Sequence, residues 1–182
     1  MIETLYGPIS SELYAAAKEI RLLVCDVDGV LSDGRIYLGN NGEELKTFHT
    51  KDGFGLKALR DIGIEVAVIT GRSSRIVADR MLSLGIEHVY QGQGDKLPAF
   101  QDLLDKLGLT ATQAAYIGDD VIDIPVIRHC ALGVAVADAH PLVRRAARLV
   151  TYLKGGEGAV REVCDLLLQA QGQLDSASGA SI

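Results

Sequence analysis

The stretch Leu22-Leu23-Val24-Cys25-Asp26-Val27-Asp28-Gly29-Val30-Leu31 is an apolar run that stops at two carboxylates. Such a run is typical of a parallel strand that is buried on both faces and ends at the edge of the sheet where α/β folds bind ligands. Side chains alternate along a strand, which predicts that Asp26 and Asp28 lie on one side, about 6 to 7 Å apart, before Gly29 turns the chain away. Two carboxylates this close repel each other. We therefore expect a divalent cation, and Mg²⁺ suits a site with few carboxylates and some retained water.

Apolar runs and helical patterns alternate along the rest of the chain. Further strands are predicted at 64–69, 88–90, 114–117, 130–136 and 149–151, and helices at 54–61, 73–84, 97–107 and 159–170. A short amphipathic helix is also predicted before the first strand. This alternation indicates an α/β fold, a doubly wound parallel sheet with right-handed crossovers and helices on both faces.

The segment from about 34 to 48 departs from this alternation. Two short stretches flank Gly39-Asn40-Asn41-Gly42-Glu43, and the Asn-Gly pair within this turn-rich link indicates a β-hairpin. We call residues 34–48 the flap, because a hairpin that leaves this edge of the sheet can cover it or contact another subunit. A plain surface hairpin is the alternative. We expect one domain over 1–170 and a flexible tail over 171–182, which is rich in Gln, Ser, Ala and Gly.

Composition excludes several classes of function. The 182 residues carry a formal net charge of -6, and the basic residues are scattered, which argues against a nucleic-acid partner. The three cysteines lie in apolar contexts without CxxC spacing, which is typical of buried thiols in a reducing compartment. No run approaches the length that spans a bilayer, and no leader pattern is seen at the N-terminus. We expect a cytoplasmic protein with no membrane partner.

Polar residues follow four successive predicted strands and meet at one edge of a parallel sheet. They are Asp26, Asp28, Thr70, Lys96, Asp119 and Asp120. Phosphoryl transfer needs a nucleophile, cations on the transferred group and fixed hydrogen-bond donors, and this set supplies all of them. Asp26 can attack phosphorus, Asp28 can act as general acid and base, and Asp119 can complete a metal site with Asp26 and Asp28. Thr70 and the Gly71 amide can hold phosphoryl oxygens, and Lys96 supplies positive charge.

These segments resemble the four motifs of the haloacid dehalogenase superfamily, in the same order and with similar spacing. The matching segments are Asp26-Val27-Asp28-Gly29-Val30-Leu31, Ile69-Thr70-Gly71-Arg72, Lys96, and Gly118-Asp119-Asp120 with Asp123. Within the superfamily, the hairpin sequence and the segments 136–141 and 158–165 are similar to phosphatases of an eight-carbon sugar-acid phosphate of the lipopolysaccharide pathway. The resemblance implies a Mg²⁺-dependent phosphoric monoester hydrolase whose substrate is a small sugar-acid phosphate.

The resemblance also implies an architecture and a set of substrate contacts. About 40 residues separate the first two motifs, so there is no separate cap domain and the flap takes its place. Such flaps join across subunits of a homotetramer in this family, which would cover the edges of an isolated hairpin. The substrate contacts implied by the family are Asp28, His49, Thr50, Lys51, Asp52, Gly53, Gly71, Arg72, Arg80 and Lys96.

Three points stay open at the level of sequence. Asp120 and Asp123 follow Asp119 closely, so either can bind metal, orient Lys96 or favour the N-terminus of a helix; we favour Asp119 as the direct ligand. The same motifs serve phosphatases of nine-carbon sialic-type acid phosphates. A non-catalytic oligomerisation domain on this scaffold, or a phosphomutase, is a further alternative.

Overall fold

The first strand of the central sheet forms within the apolar run that begins at Leu22. The computed structural model describes residues 1–175, and in it β3 spans Leu22–Cys25 with all four residues buried. The remaining strands of the sheet are β6 (Glu65–Ile69), β7 (His88–Tyr90), β8 (Ala114–Gly118), β9 (Leu132–Ala135) and β10 (Leu149–Val150). All six are parallel, in the order β10-β9-β8-β3-β6-β7, which confirms the predicted sheet.

The helices flank this sheet in two groups. They are α1 (Ser11–Glu19), α2 (Thr50–Asp61), α3 (Arg75–Ser83), α4 (Leu97–Leu107), α5 (Ile124–His129), α6 (Pro141–Ala146) and α7 (Ala159–Ala170), with two 3₁₀ turns at Ala111–Gln113 and Val121–Asp123. The α7 helix packs against both α1 and α2, and α5 contacts α4 and α6. From β3 the chain winds one way through β6 and β7 and the other way through β8, β9 and β10. Right-handed crossovers in opposite directions place the two groups of helices on opposite faces of the sheet.

Several elements begin or end a residue or two away from their predicted limits, and two differences affect the predicted site. The α2 helix begins at Thr50 and not at Phe54, because the His49 imidazole accepts the Lys51 N–H at 3.2 Å and caps the helix four residues early. The β3 strand ends at Cys25, so Asp26 and Asp28 lie in the turn that follows it. Strand alternation, on which their predicted placement rested, therefore does not set the positions of these two carboxylates.

Two short hairpins accompany the sheet. The flap contains β4 (Tyr37–Leu38) and β5 (Glu44–Leu45), which pair antiparallel and confirm the predicted hairpin, with strands of only two residues each. A second hairpin was not predicted and joins β1 (Ile2–Thr4) to β2 (Gly7–Ile9). It is tied to α7 by the Tyr6 hydroxyl, which donates to Asp165 at 2.9 Å.

The described part of the C-terminal segment stays in contact with the domain beyond α7. The Gln173 N–H donates to the Leu168 carbonyl at 2.8 Å, the Gln171 side chain donates to the Lys18 carbonyl at 2.8 Å, and Leu174 packs on the core. The tail predicted to be flexible is thus attached over 171–175. Residues 176–182 of that prediction lie outside the described residues.

Candidate active site

Three strand ends bring the predicted polar residues to one edge. Cys25 of β3 lies level with Val68 of β6 and Ile117 of β8, so Asp26, Thr70 and Asp119 follow within two residues on adjacent strands. Their side chains face a pocket of about 280 Å³. The residues that line it are Asp26, Asp28, Gly34, Thr70, Gly71, Arg72, Lys96, Asp119, Asp120 and Ile122. Seven of the predicted site residues thus share one cavity, namely Asp26, Asp28, Thr70, Gly71, Arg72, Lys96 and Asp119.

A buried lysine joins two of the carboxylates. Lys96 is only 2% exposed, and its Nζ lies 3.0 Å from Asp26 Oδ1 and 2.7 Å from Asp123 Oδ1. Burial alone would lower the pKa of Lys96, but the charges of Asp26 and Asp123 outweigh it and raise the pKa. The ammonium therefore stays charged at the inner end of the pocket.

Asp123 uses both of its oxygens to hold this arrangement. Its Oδ1 accepts the Tyr116 hydroxyl at 2.6 Å and Lys96, and its Oδ2 accepts the Asp119 and Asp120 N–H groups at 3.0 and 3.1 Å. Burial and the charges of Asp123 and Asp26 raise the pKa of Tyr116 well above its usual range, so this hydroxyl remains a donor. With four hydrogen bonds accepted, Asp123 fixes both the lysine and the loop that carries Asp119.

The carboxylates at the edge suit a cation. One oxygen each of Asp26, Asp119 and Asp123 lies within 4.8 Å of the others. Burial, followed by the charges of Asp26 and Asp123, raises the pKa of Asp119 to about 8, and burial with the charge of Asp123 raises the pKa of Asp26 to about 6. Both shifts follow from the burial of these acids and from the negative charges of their neighbours. A hard divalent cation with oxygen ligands, such as Mg²⁺, fits this cluster.

Asp28 has a different partner from the one expected. Its carboxylate is not in the cluster of acids, and its Oδ1 lies 2.7 Å from Nζ of Lys46, at the end of the flap. Because β3 ends at Cys25, strand geometry does not fix the direction of the Asp28 side chain. Asp28 nevertheless lines the same pocket as Asp26.

The predicted substrate contacts divide into two groups. Gly71 and Arg72 line the pocket, and Arg72 Nη2 lies 3.1 Å from Glu44 Oε1 of the flap. Arg80 does not line the pocket, and its guanidinium stacks over the Phe48 ring at 5.9 Å.

The segment from His49 to Gly53 forms the cap and first turn of α2. His49 caps the helix, and Thr50 and Lys51 are exposed. Asp52 is buried and its Oδ1 accepts the Arg161 N–H at 2.9 Å, so it faces α7 and not the pocket. Gly53 is also buried in the described fold. None of these five residues lines the pocket of this chain.

Four residues at the site escaped the sequence analysis: Lys46, Tyr116, Gly34 and Ile122. Tyr116 is the one hydroxyl in the apolar run Ala114–Gly118, and a polar atom in a fully buried strand calls for a partner. This hydroxyl in an apolar run is visible in the sequence and could have pointed to Tyr116. Lys46 carried no such signal, because its burial depends on how the flap folds back.

Comparisons with known proteins agree with this geometry. Residues 83–162 match the family model of haloacid dehalogenase-like hydrolases. The chain is 59% identical over 181 residues to 3-deoxy-D-manno-octulosonate 8-phosphate phosphatase of Escherichia coli strain K12, covering 100% of this chain and 96% of that protein. The chain belongs to the 3-deoxy-D-manno-octulosonate 8-phosphate phosphatase family of haloacid dehalogenase-like hydrolases.

Solved structures of this phosphatase family have the same fold. The crystal structure of the Yersinia pestis phosphatase superposes with a TM-score of 0.97 at 56% identity, covering 100% of this chain and 98% of that chain. The Moraxella catarrhalis phosphatase was solved with magnesium ion, phosphate ion and 3-deoxy-D-manno-octulosonate (KDO). It superposes with a TM-score of 0.90 at 46% identity, covering 92% and 97% of the two chains.

Proposed function

We propose that this protein is a Mg²⁺-dependent phosphatase that hydrolyses 3-deoxy-D-manno-octulosonate 8-phosphate to the free sugar acid and phosphate, a step of lipopolysaccharide biosynthesis. The observation that carries the proposal is the contact of buried Lys96 with Asp26, in a pocket that also holds Asp119 and Thr70. A cation beside a carboxylate at the bottom of an open pocket suits the binding of a phosphoryl group next to a nucleophile. The identity of 59% over the whole chain supports the substrate assignment.

The reaction runs in two displacements at phosphorus. The Asp26 carboxylate attacks phosphorus, the bond to the sugar oxygen breaks, and Asp28 gives that oxygen a proton. Water then attacks the phosphorus of the aspartyl phosphate and gives its proton to Asp28, which releases phosphate and restores Asp26. Thr70, the Gly71 amide and Lys96 hold the phosphoryl oxygens through both displacements.

Asp26 and Asp119 are the residues that would hold the Mg²⁺, with Asp28 as the third member of the predicted set. When bound, the ion neutralises charge on the transferred phosphoryl group. Because Asp123 already accepts four hydrogen bonds, we assign it the role of positioning Lys96 and Asp119. Asp120, whose carboxylate accepts the Val121 N–H at 2.7 Å, begins the 3₁₀ turn that carries Asp123.

Recognition of the sugar acid needs positive groups at the mouth of the pocket. We assign Arg72 to the substrate carboxylate, because a guanidinium binds a planar carboxylate in two places. Arg80 and the segment from His49 to Gly53 lie outside the pocket of this chain. Their predicted role in substrate binding therefore requires a site completed by a neighbouring subunit.

We also propose a homotetramer in the cytoplasm. The flap exposes three large apolar side chains, Tyr37, Leu38 and Leu45, which a neighbouring subunit would cover. Cys25, Cys130 and Cys164 are free and buried, as suits a reducing compartment. Among the described residues, the structure contains no helix with the length and apolar character needed to span a membrane.

Initial rates of phosphate release over a panel of substrates test the proposal. The panel contains the eight-carbon sugar-acid phosphate, a nine-carbon sialic-type acid phosphate and a neutral hexose phosphate, each with Mg²⁺ and after chelation. We expect the highest kcat/KM for the eight-carbon acid and loss of turnover on chelation. A preference for the nine-carbon acid would overturn the substrate assignment, and no phosphate release from any compound would overturn the assignment as an enzyme.

A further inference from the structure

The side chain of Lys46 is completely buried, although the lysine lies at the end of an exposed hairpin. Its side chain has 0% exposure and its Nζ lies 2.7 Å from Asp28 Oδ1, while the Asp28 side chain keeps 20% exposure. By contrast, Arg35 at the start of the flap, which pairs with Asp33, has a side chain that is 75% exposed. Burial therefore distinguishes Lys46 from an ordinary charged residue of a surface loop.

A buried ammonium must have a partner, because removing its water costs several kcal/mol that only a close opposite charge offsets. Asp28 is the partner that the described structure gives to Lys46. Asp28 itself lies beyond the end of β3, in a turn where strand pairing does not hold its side chain. The contact with Lys46 thus fixes where the Asp28 carboxylate lies.

A second ion pair connects the flap to the opposite wall of the pocket. Glu44 of β5 contacts Arg72, which follows β6, at 3.1 Å. Glu44 and Lys46 are two residues apart, a spacing that places side chains on one face of an extended chain. One face of the flap segment from Glu44 to Lys46 is therefore bound at two points. Lys46 contacts the turn after β3, and Glu44 contacts the loop after β6.

From these contacts we infer that Lys46 is a positioning residue for the reaction, acting through Asp28. Lys46 holds the Asp28 carboxyl group at the distance from the sugar oxygen that proton transfer requires. Asp28 enters the first displacement protonated, gives that proton to the sugar oxygen, and is left as the carboxylate that pairs with Lys46. The proton-transfer group is therefore in place only when the flap is folded over the pocket. This inference rests on the proposed function, in which Asp28 protonates the leaving oxygen. It assigns to the flap a role in the chemical step beyond covering the pocket.

The inference predicts a dependence on the leaving group. A sugar alkoxide is a poor leaving group and needs its proton during bond cleavage, whereas p-nitrophenolate leaves without one. Lys46→Met keeps the length of the buried stem and removes the charge. We expect this variant to lower kcat/KM for the sugar-acid phosphate by about tenfold to a hundredfold, part of the range that general acid catalysis contributes, and for p-nitrophenyl phosphate by less than about threefold.

The control variant is Arg35→Met, which removes an exposed charge of the same flap and should leave both rates unchanged. If Lys46→Met folds poorly, as shown by its thermal unfolding, Lys46→Gln is used, which keeps a hydrogen-bond donor to Asp28. We expect it to show the same preference for the aryl substrate with a smaller loss. Equal losses for both substrates in a folded variant, or no loss, would overturn the inference.

A double-mutant cycle with Asp28→Asn separates this inference from the proposed function. If Lys46 acts through Asp28, then Lys46→Met adds no further loss for the sugar-acid phosphate when Asp28 is already Asn. Independent losses that multiply would overturn the role of Lys46 and leave the proposed function intact. If Asp28→Asn alone spares the sugar-acid phosphate as much as p-nitrophenyl phosphate, the proposed role of Asp28 itself is contradicted, and this inference with it.

Discussion

The buried carboxylate of Asp52 makes the stability of the whole domain depend on pH. It lies in the first turn of α2, where Oδ1 accepts the Arg161 N–H and no described donor reaches Oδ2. Burial raises the pKa of Asp52 from 3.8 to about 6, against the opposing effect of the Arg161 hydrogen bond. The folded protein therefore holds this proton more tightly than the unfolded chain does.

This raised pKa predicts a pH dependence of stability. Because the pKa is higher in the folded state, the stability that protonation gives is fully present below about pH 4 and is lost as the pH rises to about 6. The shift corresponds to a change on the order of 3 kcal/mol. Asp52→Asn does not titrate, so we expect the free energy of unfolding of the wild type relative to this variant to fall between pH 4.5 and pH 7.5.

Urea denaturation of both proteins at the two pH values measures this difference. Asp61→Asn, at the exposed end of the same helix, is the control and should differ from the wild type by the same amount at both pH values. If the free energy of unfolding of the wild type relative to Asp52→Asn stays constant, or grows with pH, then the pKa of Asp52 is not raised by folding.

The glycine-rich link before α7, residues 155–158, supports the turn that carries Asp28. The Gly156 N–H donates to the Val30 carbonyl at 2.8 Å, and φ of Gly156 is +73°. A Cβ at Gly156 would collide with the backbone of Ser32 and Asp33. The link can pack this closely because Gly156 has no side chain.

This contact predicts that Gly156→Ala is more harmful than an alanine at another glycine with positive φ. Gly63 has φ of +85° and open space around its missing Cβ, so Gly63→Ala should cost only the conformational penalty of about 1 kcal/mol. Gly156→Ala adds the collision, and we expect a loss of about 2 kcal/mol or more in the free energy of unfolding. Chemical denaturation of the two variants compares them, and equal losses would show that the link does not press on the turn.

The alternation of strands and helices along the chain, and the polar residues that follow four of the strands, could be predicted because both depend on local signals. An apolar run bounded by Asp, Thr or Gly indicates a buried parallel strand, and parallel strands bring such ends to one edge. The hairpin turn at Asn41-Gly42 was equally local. These signals need no knowledge of which elements later pack together.

The features that could not be predicted depend on distant packing. Asp52 faces α7 because that helix, more than 100 residues later in the chain, docks against α2. Lys46 is buried because the flap folds back onto the turn after β3. Both side chains look like ordinary exposed charges in sequence, and their environment is decided only in the folded protein.

At the scale of the whole molecule, the exposed apolar residues of the flap predict its oligomeric state. Leu38 is 77% exposed and Leu45 is exposed as well, and an isolated pair of two-residue strands buries too little to be stable alone. If flaps join in a homotetramer, Leu38→Ser combined with Leu45→Ser should shift the protein to a smaller species. Size-exclusion chromatography with light scattering measures this mass.

Leu82→Ser provides a matched control, because Leu82 of α3 is also 77% exposed but lies outside the flap. It should leave the mass unchanged. A wild-type protein that is monomeric at every concentration, or a double flap variant with an unaltered mass, would contradict assembly through the flap.

The proposed mechanism depends most on Asp26 as the nucleophile. Asp26→Asn keeps the size of the side chain and removes the attacking carboxylate, so turnover of the eight-carbon sugar-acid phosphate should fall by about four orders of magnitude or more. The control is Asp105→Asn, at an exposed position of α4, and mass spectrometry verifies that the asparagine introduced at position 26 has not deamidated.

The most direct measurement is the initial rate of phosphate release by folded Asp26→Asn in the presence of Mg²⁺. If Asp26 is the nucleophile, this rate is indistinguishable from the uncatalysed background, while wild type and Asp105→Asn turn over equally. A rate near that of the wild type, from a variant with its asparagine intact, would contradict the assignment of Asp26 and the mechanism built on it.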